Sequence, residues 1–179
     1  DDRALQAYRE AFDQFGPYPL YDNPWLPIAE LRQRIIASHQ ILMSRNDYIH
    51  AAALADCAAR MPVDMVIWQL GGEANRALGA ARLRDAETQP YKEAERLRSE
   101  GRQAYHAAAN HFERLAWARR TTSSYPQDIW QAVETHILAG EYEPAIDRIN
   151  DYLATYDRPQ RTAAYVAQIE CLLHLSRVE

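Results

Sequence analysis

The chain has 179 residues, a length that suits one domain or one continuous solenoid. Hydrophobic residues make up 47% of it, which is enough to bury a core and excludes wholesale disorder. Formal net charge is −5 with both signs scattered and no basic block, which argues against nucleic acid as a partner, and no run reaches the ~18 apolar residues of a membrane span.

The apolar residues are rich in Ala, Leu and Ile, and glycine is only 6 of 179, so composition favours helices. Asp1 to Phe15 reads as a helix, with Ala4, Leu5, Tyr8, Phe12 and Phe15 on one face. Gly16-Pro17 stops it. Residues 16–27 carry Pro17, Pro19, Pro24 and Pro27 around Tyr18, Tyr21 and Trp25, which predicts an extended loop whose aromatics pack on neighbouring helices. A second helix is predicted from about Ile28 to Ser44. Asn46-Asp47 turns the chain, and Asp47 can cap a third helix running to about Arg60. Pro62 breaks the chain, and a fourth helix follows over about Asp64 to Leu83.

Residues 82–102 are dense in charge, with Glu93–Arg96 and Glu95–Arg98 at helical ion-pair spacing. They read as an exposed extension leading into a long helix that ends near Arg120, with Tyr105, Ala108, Phe112 and Leu115 as its apolar stripe. Thr121 to Ser124 are loop. A helix over about Gln127 to Ala139 is turned by Gly140. Its partner spans about Glu143 to Tyr156, with Pro144 in the first turn, where a missing N–H is tolerated. Asp157-Arg158-Pro159 breaks that helix, and a last one runs from Gln160 to about Leu175. Cys57 and Cys171 lie far apart within apolar helical patterns and are expected as buried free thiols.

Internal repetition is visible. Ile67-Trp68-Gln69 and Ile129-Trp130-Gln131 each follow a proline break, at Pro62 and Pro126, and each opens a helix. The second helices of the pairs share an aromatic, an alanine three residues on and a core position four further: Tyr48, Ala51, Ala55; Tyr105, Ala108, Phe112; Tyr142, Ala145, Ile149. Ala4, Tyr8 and Ala11 repeat the latter half of that pattern. The small residue lets two helices approach, and its bulky neighbours fill the groove beside it.

On these residues the chain resembles the tetratricopeptide repeat, a helix–turn–helix unit of about 34 residues. Residues 126–159 match best, through Gly140, Tyr142, Ala145 and Pro159. Ile67, Leu70 and Gly71 fit a large–large–small signature, and residues 32–62 match in Tyr48, Ala51, Ala58 and Pro62 with Asn46 in place of the turn glycine. Two departures stand out: the middle repeat carries an insertion of roughly 28 residues against the family period, and His136 occupies a place where the family prefers an aromatic. The resemblance implies an all-α fold, a right-handed α-solenoid of antiparallel hairpins. The expected units are a half repeat at 1–15, repeats at 28–62, 63–120 and 126–159, and a half repeat at 160–179.

Because the chain starts at Asp1 and both ends are half repeats, the expectation is an excerpt of a longer array, or an end covered by another chain through self-association of the uncapped terminal helices. The simpler alternative is that the end helices pack adequately as they are. Another α-solenoid or an irregular helical bundle is the nearest rival fold.

Such a stack implies a non-catalytic scaffold for a protein or peptide partner. The first helix of each pair lines the concave surface, which places Gln33, Ile36, Gln40, Trp68, Gln69, Trp130, Gln131, Glu134, Arg161, Tyr165 and Gln168 there. Trp68 and Trp130 either anchor a ligand or wedge between hairpins as core. Repeats that grip chaperone C-terminal tails use a clamp of Lys, Arg and Asn. Gln33, Ile36, Ala37 and Gln40 stand at the corresponding positions here and supply no cation, so a free carboxylate would be held poorly.

Motifs for catalysis are missing: no HExxH, glycine-rich phosphate loop, GxSxG or CxxC occurs, and no cofactor is called for. His106 and His111 are five apart, on different helix faces. Glu170 and His174 share a face and are expected to form a surface ion pair. His39 reads as a core histidine. The alternative reading, a helical enzyme or metal protein, requires His106, His136 or Glu134 to converge in space.

Overall fold

A computed structural model describes residues 2–15, 27–59, 64–155 and 158–176. Residues 16–26 of the predicted 16–27 loop, the break at Pro62, and Arg60, Tyr156 and Asp157 lie outside them. The described residues form eight α-helices and no strand: α1 (Asp2–Phe15), α2 (Ile28–Ser44), α3 (Tyr48–Ala58), α4 (Met65–Ala86), α5 (Tyr91–Ala118), α6 (Tyr125–Ala139), α7 (Tyr142–Leu153) and α8 (Arg161–Ser176). From α2 onward each helix packs against the next in sequence, while α1 packs on α3 and α2 also touches α4.

Local chemistry sets the boundaries. Pro27 precedes α2 with φ −55°, already suited to a helix start. The Asp47 carboxylate accepts the backbone N–H of His50 and caps α3. Asp64 caps α4 by accepting from Val66 and Ile67, and it also pairs with Arg32 of α2. One carboxylate thus closes a helix end and ties it to a neighbour.

The turns after α2 and α6 are built alike. Asn46 and Gly140 both take positive φ, 58° and 79°. Asn46 N–H donates to Met43 O and Asp47 N–H to Leu42 O; Gly140 N–H donates to Ile137 O and Glu141 N–H to His136 O. This is the left-handed helix stop that satisfies the last carbonyls, and Asn is the residue that best replaces Gly in it.

Helices α4 and α5 make the longest contact, at 22 and 28 residues against 15 and 12 for α6 and α7. The charge-dense 82–102 stretch is accommodated in the two long arms of this hairpin. Its predicted character needs correction, because one face is not solvated. Ala86, Ala94 and Leu97 form a buried cluster at the tip, and Gly101 is buried as well. Arg82 pairs with Glu100 across the hairpin, and Arg96 pairs with Glu93 and Glu100 along α5. Glu95 and Arg98 do not pair.

Glycines set the spacing of this hairpin. A Cβ at Gly72 would lie 2.5 Å from Phe112 Cε1, and one at Gly79 would lie 3.0 Å from Tyr105 and from Gly101 O. Phe112 and Leu115 are buried with Ala108 and with Ala132 of α6, and Trp68 packs against that cluster. Farther along, Ile129, Val133, Ala145, Ile149, Tyr152, Ala164, Ala167 and Cys171 form the largest core. Tyr152 is fully buried, and its hydroxyl accepts the Gln160 N–H at 2.8 Å, fixing the α7–α8 connection. Both cysteines are buried and free.

Substituting Gly72→Ala should lower stability by about 1–3 kcal/mol in urea denaturation, although alanine favours a helix, because the added methyl overpacks the Phe112 ring. Gly72→Ala combined with Phe112→Leu should destabilise less than the sum of the two changes. A Gly72→Ala protein as stable as the parent would refute the close approach.

Candidate functional site

The predicted ligand-facing residues occupy four helices. On α2, Gln33 and Gln40 are exposed and Ile36 is half-buried. On α4, Trp68 and Gln69 are half-buried. On α6, Trp130, Gln131 and Glu134 are half-buried, and on α8 Arg161 and Tyr165 are exposed while Gln168 is half-buried.

Several are brought together. Glu134 accepts from Trp130 Nε1 at 2.9 Å and from Arg76 Nη2 of α4 at 3.3 Å. This places the α6 face carrying Trp130 beside the α4 face carrying Arg76. Gln69 donates to Glu73 at 3.0 Å and accepts from Arg119 at 3.5 Å. Arg119 also reaches Asp128 at 3.3 Å; that carboxylate is buried, and the burial raises its pKa against the pull of Arg119. Arg161 lies over the Tyr165 ring at 5.8 Å, and Gln168 donates to Asn150 of α7 at 3.0 Å. Among the described residues, the α2 glutamines make no hydrogen bond to the α6 or α8 residues. Both tryptophans do structural work: Trp68 against Phe112 and Leu115, and Trp130 tilted on Tyr152 with ring centroids 5.2 Å apart.

A second constellation was not legible from spacing. His136 of α6 is buried and donates through Nδ1 to Glu141 at 2.8 Å and through Nε2 to Glu113 of α5 at 3.1 Å. Carboxylates facing both ring nitrogens favour the protonated imidazole, which can donate from both. Burial opposes its charge, but the hydrogen bonds to Glu113 and Glu141 outweigh that and raise its pKa. The His136 hydrogen bond in turn holds the Glu113 carboxyl below its ordinary range, with Arg148 of α7, 3.6 Å away, adding to the effect. His106 bonds the other oxygen of Glu141 through Nδ1, and the Asn110 amide lies 3.0 Å from its Nε2. His106 and His136 therefore converge, on Glu141, while Glu134 belongs to the Arg76 and Trp130 group. With both ring nitrogens engaged, His136 cross-links α5, α6 and the start of α7.

The remaining histidines are dispersed. His111 Nε2 lies 2.7 Å from Asp56 of α3, on the opposite side of α5 from His106. His39 is buried with Nε2 3.2 Å from Leu70 O, and burial lowers its pKa; its Nδ1 has no hydrogen-bond partner. The expected Glu170–His174 pair is absent. His174 stacks instead on Tyr142, with centroids 4.4 Å apart and planes 4° apart, because the end of α8 lies against the start of α7. Among the described residues no group of three or more His, Cys, Asp or Glu is arranged to hold a metal. No helix of the described residues is long and apolar enough to cross a membrane.

Three cavities flank these groups. One of about 520 Å³ lies at the α5–α6 turn, lined by Thr121, Thr122, Tyr125 and Asp151 among others. One of about 460 Å³ is lined by Arg9, Asp56 and Asn75, and one of about 290 Å³ by Leu5, Tyr8, Leu42 and Leu54. None of the three is lined by a predicted ligand-facing residue.

No family model, curated protein or solved structure matches this chain.

The histidine cluster makes stability depend on pH with a defined sign. The folded pKa of His136 lies above the ordinary 6.5, so its contribution is full below that value and is lost as pH rises through the folded pKa. The folded pKa of Glu113 lies below 4.5, so its contribution is full above that value and is lost as pH falls through the folded pKa. Urea midpoints should fall between pH 6 and pH 9 in the parent, and His136→Gln should flatten that fall at a cost of about 1–3 kcal/mol at pH 6. Parallel pH profiles for parent and variant would show that His136 is not the titrating group.

Proposed function

We propose that the helix pairs form a tetratricopeptide-like, right-handed stack and that it acts as a protein-binding scaffold, holding an extended peptide or partner helix along its first helices. Three features support the stack. The left-handed turn residue stands two before a tyrosine in both Asn46–Tyr48 and Gly140–Tyr142. Ala51 and Ala145, three residues after those tyrosines, are wholly buried. Second helices meet second helices where α1 packs on α3, and first helices meet where α2 touches α4.

The observation that carries the binding role is the Arg76–Glu134–Trp130 arrangement. It joins α4 and α6 into one wall of aromatic edges and amides. Fixed aromatic and Arg groups are the side chains that dominate interface energies, and prior fixing lowers the ordering cost of binding. Glutamines along the wall can serve both the N–H and C=O of an extended backbone. The wall residues act by contact and hydrogen bonding, and the proposed role is non-catalytic.

Peptides selected from a random displayed library on the purified chain test this. Their affinity, read by fluorescence polarisation, should fall about tenfold or more in Gln131→Ala and Glu134→Ala. Lys92→Ala, at the far tip of the α4–α5 hairpin, should leave it unchanged. Equal affinity across all three variants would remove this wall from consideration.

A further inference from the structure

Helix α6 is covered on two faces. Ala132 packs with Ala108, Phe112 and Leu115 of α5, while Ile129 and Val133 join Ala145, Ile149 and Tyr152 of α7. Among the described residues helix α8 is covered on one face, where Ala164, Ala167 and Cys171 enter the core shared with α6 and α7. Beside them Tyr165, Val166, Ile169, Leu172 and Leu173 are 44%, 51%, 58%, 52% and 51% exposed. At 3.6 residues per turn these five fall within about one third of the helix circumference, centred on Ile169.

The spacing of this stripe is the same read in either direction. Tyr165 and Val166 stand four and three residues before Ile169, and Leu172 and Leu173 stand three and four after it. Thr162 and Ser176, seven before and seven after, are both exposed hydroxyl residues. An antiparallel pair with the two-fold axis at Ile169 would therefore set apolar against apolar at every stripe position, because the residue k before Ile169 meets the one k after it in the other copy. None of the seven positions is charged, so antiparallel pairing would bury no unpaired ion. Arg161 and Glu170 lie beside the stripe and are exposed, as rim residues are.

The area is also of the right order. Half-exposed side chains of this size leave on the order of 100 Å² each, about 500 Å² per copy, at the upper end of what a monomer leaves uncovered. Two copies would bury about 1,000 Å² of apolar core, which with a polar rim reaches the lower range of specific interfaces.

We propose that two copies of this chain associate through α8, antiparallel, with Ile169 on the two-fold axis and Tyr165 packed against Leu172 and Leu173 of the other copy. The stripe shares Tyr165 with the expected ligand-facing set but lies off the α4–α6 wall that carries the proposed peptide contacts, so Ile169→Glu tests association and Gln131→Ala tests peptide binding separately.

Sedimentation equilibrium should show the mass rising from 20.6 kDa toward twice that value across about 1–200 µM. Ile169→Glu, at an exposed position, should keep the parent's circular dichroism and weaken association at least about 100-fold. Under mild oxidation Ile169→Cys should cross-link to itself, while Tyr165→Cys should cross-link when mixed with Leu173→Cys in preference to itself. The parent chain, whose cysteines are buried, is the control. A monomer throughout that range would overturn the proposal and leave the stripe to a different partner. A dimer that survives Ile169→Glu would place the interface elsewhere, and preferential Tyr165→Cys self-cross-linking would overturn the antiparallel arrangement.

Discussion

The close approach of α4 and α5 is the constraint on which the remaining packing depends. Gly72 and Gly79 each disfavour a helix by about 1 kcal/mol relative to alanine. What offsets this is the access they give: Phe112 and Tyr105 sit where a Cβ would otherwise be. Phe112, so placed, meets Ala132 of α6, and α6 in turn carries Val133 into the core shared with α7 and α8. A wider α4–α5 spacing would move Phe112 away from α4 and alter where α6 docks. The Arg76–Glu134 contact that joins α4 to α6 depends on the same spacing.

Polar ties then fix what apolar packing leaves free to slide. His136 binds carboxylates from two different segments, and Arg32 reaches from α2 to the cap of α4. Both sit at helix junctions rather than mid-helix, so each fixes the angle between elements. The exposed pairs along the α4–α5 tip are of another kind. Arg96 with Glu93 and Glu100 is open to water, where such pairs contribute little. The tip is held instead by Ala86, Ala94 and Leu97.

Most helix boundaries were legible because they rest on local chemistry. Pro27, Asp47, Asp64 and Gly140 act within one turn of their own positions, and the apolar stripe of Tyr105, Ala108, Phe112 and Leu115 is wholly buried. Other features depended on distance in sequence. The insertion looked like a solvated face because its buried residues are mostly Ala and Gly, which hydropathy patterns barely register. His136, Glu113, Glu141 and Arg148 come from three helices, and no spacing rule joins residues that meet only after α5, α6 and α7 have packed. The one trace was His136 standing where the repeat resemblance asks for an aromatic. Trp68 and Trp130 were read as either ligand anchors or core, and both pack on core residues while staying half-buried.

That dual position bears on what the α4–α6 wall can recognise. Glu134 is already satisfied by Trp130 and Arg76, and Gln69 by Glu73 and Arg119. A ligand that merely replaced one of these bonds would gain little, because an exchanged hydrogen bond leaves the net count unchanged. The net gain must come from aromatic edges that lose water and from amides with spare capacity, such as the half-buried Gln131 of α6. Neither contribution depends on ligand charge. Under the proposed binding role, a wall whose Arg76 and Glu134 are paired with each other would select for backbone spacing and side-chain shape more than for ligand charge. The Arg76–Glu134 pairing that fixes α4 against α6 is also the pairing that neutralises this part of the surface they present.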